Sequence, residues 1–316
     1  MSGPKRHHWW PQLQSRHWTN SNGTIHAVRS DGTSFTSSPA NIGLEGDLYT
    51  RYDLTGSKDL TIERWFSVEI EAPFAKTLDY VSTIPSLSRK PFKGDPEKRR
   101  TTEHVGFIVR DYTETIALPQ EHRSSLSRYI AALIVRNPRY LKRIQDYHSM
   151  SGTNLLGGDL ISNGNLVKTI ALDNMLRTFD LYCQVILRSE IFFIKRESPN
   201  EFLFSDAGVS PEEPWDAGPV PFDVYAPLTP DLAVAALPAP RISSTNRAIL
   251  ARVNSRGVAR FNRIAVGQAE RFVFSRTTPP IDFIKKHFGL PPPKSFGHRF
   301  VDGRMEIQFD RDRDRE

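Results

Sequence analysis

Apolar residues recur with helical spacing in three stretches of the chain. Ile62, Phe66, Ile70, Phe74 and Leu78 fall every four residues, which predicts a helix over about residues 60–81. Pro73 lies inside it. An interior proline removes a backbone hydrogen bond and costs roughly 3 kcal/mol, so a kink is expected near residues 69–73. Leu126, Tyr129, Ile130, Leu133 and Ile134 predict a second helix over residues 119–147. Pro138 is expected to divide it, because the residue before a proline avoids helical geometry. If the helix ran through, Arg128, Arg136, Arg139 and Arg143 would share its opposite face. The third helix spans residues 166–188, with Leu172, Met175, Leu176, Phe179, Cys183 and Ile186 on one side.

Strand patterns lie between and after these helices. Residues 23–29 alternate, Asp31-Gly32 signals a turn, and residues 33–36 return as a hairpin partner. Residues 190–195 and 201–204 flank Ser198-Pro199-Asn200 and predict another hairpin. Residues 222–228 and 232–237 predict a third, through Thr229-Pro230-Asp231. Residues 245–254 and 258–275 return to helical patterning, and a short helix is expected near 282–288. Residues 85–104 and 149–165 read as loops. The expected fold is α+β, with helices packed around a modest, mostly antiparallel sheet. One domain over residues 8–276 would follow a flexible stretch at 1–7. A Pro-rich, charged extension would occupy 277–316, ending in an alternating Asp/Arg tail.

Composition bounds the function. At 316 residues and 38% hydrophobic, the chain has material for a packed core. The longest near-continuous apolar run, residues 129–135, is far short of the roughly 18 residues a membrane span needs. No apolar segment follows Met1, so a soluble, cytoplasmic protein without a secretory signal is expected. The single Cys183 excludes an internal disulfide and any zinc site built on paired cysteines. On the core stripe of its helix it is expected to be a structural thiol.

Charge favours an acidic partner. Lys and Arg outnumber Asp and Glu by 42 to 36, for a net charge of +6. Residues 1–30 contain no acid and hold three of the five tryptophans. The 85–104 loop adds Arg89, Lys90, Lys93, Lys98, Arg99 and Arg100. These features fit a nucleic-acid or phosphate-containing partner, or simply solvated basic surface.

Several residues could carry chemistry. His8-Trp9-Trp10-Pro11-Gln12, followed by Arg16-His17-Trp18, is the most unusual segment. Histidine titrates near neutrality and can act as acid, base or ligand. The alternative is a segment docked on its tryptophans, with His7 and His8 solvated. Glu69 and Glu71 could form a carboxylate pair only if the backbone departs from a helix at Pro73. Asp206 ends a predicted strand, where it could line a site or brace a turn. The glycines of 149–165 lack the Lys-Ser/Thr of a P-loop. A Gly-x-Ser-x-Gly elbow, a dinucleotide fingerprint and a His-Glu-x-x-His zinc helix are all missing from the sequence.

Taken in order, these segments resemble the family known as domain of unknown function 4238. The opening His-x-x-Pro-Gln element is His8, Pro11 and Gln12, followed by Arg16 and Trp18. An Asn-hydrophobic element leading to an aromatic end is similar to Asn41-Ile42 and Leu48-Tyr49. Ile70-Glu71 resembles its helical hydrophobic-Glu step, and Arg136-Asn137-Pro138 its Arg-x-Pro helix end. Phe204-Ser205-Asp206 matches a strand end, with Ala207-Gly208 where the family usually has Asn-Pro. Pro227-Leu228-Thr229-Pro230 resembles its Pro-Leu-Ser-Pro element, and Asn262, Ala269 and Arg271 its closing helix.

The resemblance implies one domain and supplies no known activity. It marks His8, Gln12, Arg16, Asn41, Glu71, Arg136, Asp206, Asn262 and Arg271 as family-typical polar positions. If they meet, the leading reading is a hydrolase acting on a phosphate-containing or nucleic-acid substrate. His8, Glu71 and Asp206 would then be catalytic, with a divalent cation as an open cofactor. Gln12, Arg16, Asn41, Arg136, Asn262 and Arg271 would bind substrate. The alternatives are a non-catalytic nucleic-acid- or protein-binding module and a purely structural polar network.

Overall fold

A computed structural model describes residues 6–52, 57–84, 113–155, 164–209, 224–237, 246–290, 297–301 and 304–308. Its architecture is α+β, as the patterning predicts. A five-stranded sheet holds Val224–Thr229, Leu232–Leu237, Glu190–Arg196, Arg247–Val253 and Thr113–Ala117, in that order. All neighbours are antiparallel except Glu190–Arg196 and Arg247–Val253, which run parallel. A four-stranded sheet holds Ser34–Ser37, Ile25–Val28, Val273–Ser275 and Phe204–Ser205. Helices Gln120–Val135 and Gly164–Arg188 make the most extensive helix–helix contact and bury Leu126, Tyr129, Ile130, Leu172, Met175 and Phe179 in the main core. No helix among the described residues is long and apolar enough to cross a membrane.

The 60–81 helix is interrupted rather than simply kinked. Thr61–Trp65 is α-helical, Phe66–Glu71 is a π-helix, and Ala72–Thr83 resumes the α form. Pro73, without an N–H, sits in the first turn of that last segment, where the missing donor costs least. Pro138 divides the next helix as expected, giving Gln120–Val135 and Pro138–Leu155. The second piece extends into the 149–165 stretch expected to be a loop. The basic 85–104 loop lies outside the described residues, as does the 310–316 tail.

The 23–36 and 222–237 hairpins form where predicted. Two other expectations are corrected. Residues 247–253 are a strand, not a helix. Inserted between two other strands, the segment buries alternate faces, and sheet packing overrides its helix-compatible Ala, Leu and Arg content. The 190–204 hairpin does not form. Both edges of Glu190–Arg196 are already paired, with Leu232–Leu237 and Arg247–Val253. Phe204–Ser205 pairs with Val273–Ser275 in the other sheet instead.

The chain's first described residues belong to the packed structure. Arg6–His8 pairs with Leu44–Gly46, its Arg6 and His7 falling in the stretch expected to be a flexible terminus. Trp10 is fully buried, stacked on Phe204 at 4.4 Å and on Phe274 at 4.7 Å, with Trp18 edge-on at 5.6 Å. Gly43 permits this approach. Its φ is +65°, and a Cβ there would stand 2.7 Å from that of Trp10. At the other end, Ile281–His287 packs Ile284 beneath Val266 and Ala269, inside the expected extension.

Candidate functional site

Arg136 is the centre of the polar arrangement. It follows the last residue of Gln120–Val135, where the helix must stop before Pro138. Its side chain is therefore directed inward rather than along an outer arginine face, and only 1% of it is exposed. Nη1 donates to Glu71 Oε1 at 2.5 Å, and Nη2 donates to the carbonyl of His8 at 2.5 Å. The guanidinium lies over the rings of Phe66, at 4.5 Å, and Tyr49, at 5.4 Å. Tyr49 Oη closes the ring by donating to the carbonyl of Arg136 at 2.7 Å. Burial opposes the arginine charge. The Tyr49 oxygen and the carboxylates of Glu71 and Glu63 more than offset that, so the cation is held firmly.

The π-helical turn shapes the carboxylate pair. Widening the turn rotates Glu71 back over the face that carries Glu63, while Glu69 points to solvent. Glu63, not Glu69, is thus the partner of Glu71 beside the arginine. The backbone amide of His8 donates to Glu63. Burial raises the pKa of Glu63 and the nearby Glu71 charge adds to the rise, against the pull of Arg136. Glu63 Oε2 has no hydrogen-bond partner among the described residues. The sequence signal for Glu63 was available only with hindsight, as an acid eight residues before Glu71 across a proline-perturbed helix.

The opening motif supplies the remaining wall. Gln12 Nε2 lies 2.7 Å from His8 Nε2. With the amide as donor, the ring nitrogen accepts, and the neutral imidazole carries its proton on Nδ1. His7 is fully buried, not solvated, and its Nδ1 accepts the Tyr49 amide at 2.9 Å. Gln14 joins this wall to the core. It donates to the carbonyl of Pro227 at 2.6 Å and accepts from Tyr129 Oη at 2.9 Å.

The other expected residues are placed elsewhere. Asp206 forms a second knot, where its carboxylate accepts the amides of Glu270, Arg271 and Phe272 at 2.9, 2.7 and 3.2 Å. Burial raises its pKa despite those donors. The Arg271 guanidinium lies 3.7 Å away and is half exposed. Asn137, the middle residue of Arg-x-Pro, donates to the carbonyls of Asp206 and Ala207 at 2.9 and 2.6 Å. The Arg136-Asn137 pair therefore ties the two knots together. Asn262 forms a third, accepting the Leu203 amide and donating to the Glu201 carbonyl, both at 2.8 Å. Arg16 is exposed. So is Asn41, whose amide donates to Ser38 Oγ at 3.2 Å. His8, Gln12, Glu71 and Arg136 thus come together; Asp206 with Arg271, Asn262, Arg16 and Asn41 do not join them.

A family profile matches residues 6–279 of the chain. The chain belongs to the family described as protein of unknown function DUF4238. It matches no curated protein and no solved structure.

In this DUF4238 protein, no group of three or more His, Cys, Asp and Glu side chains among the described residues is arranged to hold a metal ion. Glu71 is held by Arg136, and Asp206 by backbone amides, so the two acids expected to share a cation have separate partners. Two more arginines of the expected outer face have partners of their own. Arg128 lies over Phe179 at 5.7 Å and Arg139 pairs with Glu270 at 2.9 Å. Cys183 packs against the core, and burial pushes its thiol up to about 12. At that value it is protonated and unreactive at neutral pH.

Proposed function

We propose that this protein is a hydrolase acting on a phosphate-containing substrate by general acid–base chemistry at Glu63 and His8. One observation carries the reading: two glutamates, a histidine and its glutamine converge on one buried arginine beside a π-helical turn. Such turns recur at functional sites because they reposition side chains at a cost in helix stability. Burial raises the pKa of Glu63, which suits a carboxyl that keeps its proton to higher pH than an exposed glutamate does. It would give that proton to the departing oxygen as water adds to phosphorus, and His8 Nε2, once the water displaces its Gln12 donor, would take the proton the water loses. Arg136 has no reach to substrate. It is a positioning residue that fixes the His8 backbone and Glu71. The net charge of +6 supports an anionic substrate.

The experiment is a hydrolysis screen on phosphomonoesters, phosphodiesters and nucleic acids, with and without Mg²⁺ or Mn²⁺. Turnover that falls at least about 100-fold in Glu63→Gln, with the fold retained, supports the reading. Wild-type protein with no turnover, or a fully active Glu63→Gln, overturns it. The near-complete burial of Arg136 favours a second reading, in which the same cluster only joins the N-terminal segment to the helices. That reading predicts loss of stability in Arg136 variants and no catalysed reaction.

A further inference from the structure

The five-stranded sheet ends in a cleft that the proposed acid–base cluster does not use. Its volume is about 550 Å³, the size of a small-molecule site. It opens at the carboxyl ends of the two parallel strands, Glu190–Arg196 and Arg247–Val253. There Lys195 and Arg252 occupy paired register positions and so share one face of the sheet. Like charges directly opposite one another are destabilising in a sheet. The register therefore sets two cations side by side, at a cost that an anion between the two side chains would relieve.

The surrounding ion pairs balance the arginines, Arg276 also lying 3.4 Å from Glu201, but among the described residues no carboxylate pairs with Lys195. Arg252 pairs with Glu197, and Arg196 and Arg276 share Asp231 across the 229–232 turn. Lys195 donates to the carbonyl of Ile84 at 2.8 Å, which satisfies a donor but does not neutralise a cation. Burial, and then the neighbouring Arg252, make the Lys195 ammonium easier to deprotonate. The remaining wall comes from motif residues that play no part in the acid–base cluster. His17 follows the opening element, and Thr229-Pro230 closes the Pro-Leu-Thr-Pro element. Asp79 adds to it from the Ala72–Thr83 segment, eight residues beyond Glu71 and so about 12 Å further along the helix axis.

We propose that this cleft binds a small phosphorylated molecule, with its phosphoryl group between Lys195 and Arg252. A guanidinium fork and an ammonium beside it match the oxygens of a phosphoryl group. Asp79 and Glu197 are placed to accept hydroxyl hydrogens from the rest of the ligand. The inference does not depend on the hydrolase reading, because none of these residues belongs to the Glu63–His8 cluster.

The test uses the full-length chain and three probes: inorganic phosphate, pyrophosphate and adenosine monophosphate. Each is titrated calorimetrically against a chloride control of equal ionic strength. At least one is expected to bind with a Kd of about 1 mM or tighter. Lys195→Met should weaken that binding at least about tenfold, and Lys195→Arg should largely restore it. Should Lys195→Met fail to fold, the wild-type protein still gives an answer through acetylation of its lysines, mapped by mass spectrometry. The bound probe is expected to protect Lys195 and leave Lys142, a solvent-facing lysine on the Pro138–Leu155 helix, unchanged. Absence of binding by all three probes, or unaltered Lys195 labelling in their presence, overturns the proposal. Protection of Lys195 by an oligonucleotide but by none of the three small phosphates also overturns it, in favour of a nucleic-acid surface. Glu63→Gln should leave probe binding intact, so failure of the cleft and failure of the hydrolase reading are separately visible.

Discussion

Arg136 and Glu71, separated by 65 positions in sequence, are joined by a 2.5 Å hydrogen bond in which the arginine is almost wholly buried. The pair locks the end of one helix onto the π-helical turn of another. Removing one partner of a buried pair leaves the other uncompensated, which costs about 3–5 kcal/mol. Arg136→Met is therefore expected to lower the melting temperature by on the order of 10 °C. Glu71→Gln keeps an oxygen acceptor and should cost clearly less. Thermal unfolding of the two variants checks the order, and equal losses would contradict it.

Glu63 gives a pH signature. Its folded-state pKa is raised, chiefly by burial, so the folded protein retains this proton to higher pH than the unfolded chain does. The stability it contributes is full below the ordinary glutamate value and declines as pH rises from there through the raised value. Glu63→Gln removes that decline. Relative to wild type, the variant should gain stability between about pH 4 and pH 7, read from urea midpoints at the two ends. A constant difference across that range would count against the raised value.

Asp206 accepts three backbone amides, so its loss strands donors rather than a charge alone. Asp206→Ala is expected to destabilise by roughly 2–4 kcal/mol, since an unsatisfied buried donor costs about 1–3 kcal/mol. Asp206→Asn should retain part of the bonding and fall between the two. Asn137→Ala, which frees the carbonyls of Asp206 and Ala207, should loosen the same turn. Amide hydrogen exchange at residues 270–272 is the direct measurement, and unchanged protection in Asp206→Ala would refute the bracing role.

Gly43 makes a steric prediction. Its positive φ and the 2.7 Å approach to Trp10 leave no room for a methyl group. Gly43→Ala should cost at least about 1–3 kcal/mol through backbone strain and displacement of Trp10. Tryptophan fluorescence should move to longer wavelength if Trp10 leaves its stack on Phe204 and Phe274. A variant with wild-type melting and emission would contradict this packing.

By itself the sequence determined the α+β class, the three long helical stretches, two of the hairpins and the division at Pro138. Each follows from periodicity or from proline and glycine chemistry, which act over a few residues. Through residue types and motif order it offered nine polar positions, and only the tertiary structure brought His8, Gln12, Glu71 and Arg136 of these together. The tertiary structure decided what local signals do not encode. Residues 247–253 became a strand because two other strands enclose them. Phe204 left the strand before it because both edges of that strand were already paired. Glu63 replaced Glu69 beside Glu71 because the π-helical turn changed which side chains share a face. Arg136 turned inward because its helix ends there, against two carboxylates and a carbonyl brought from distant segments. Helical spacing fixes a side chain's direction only relative to its own helix; the elements packed around that helix fix what it meets.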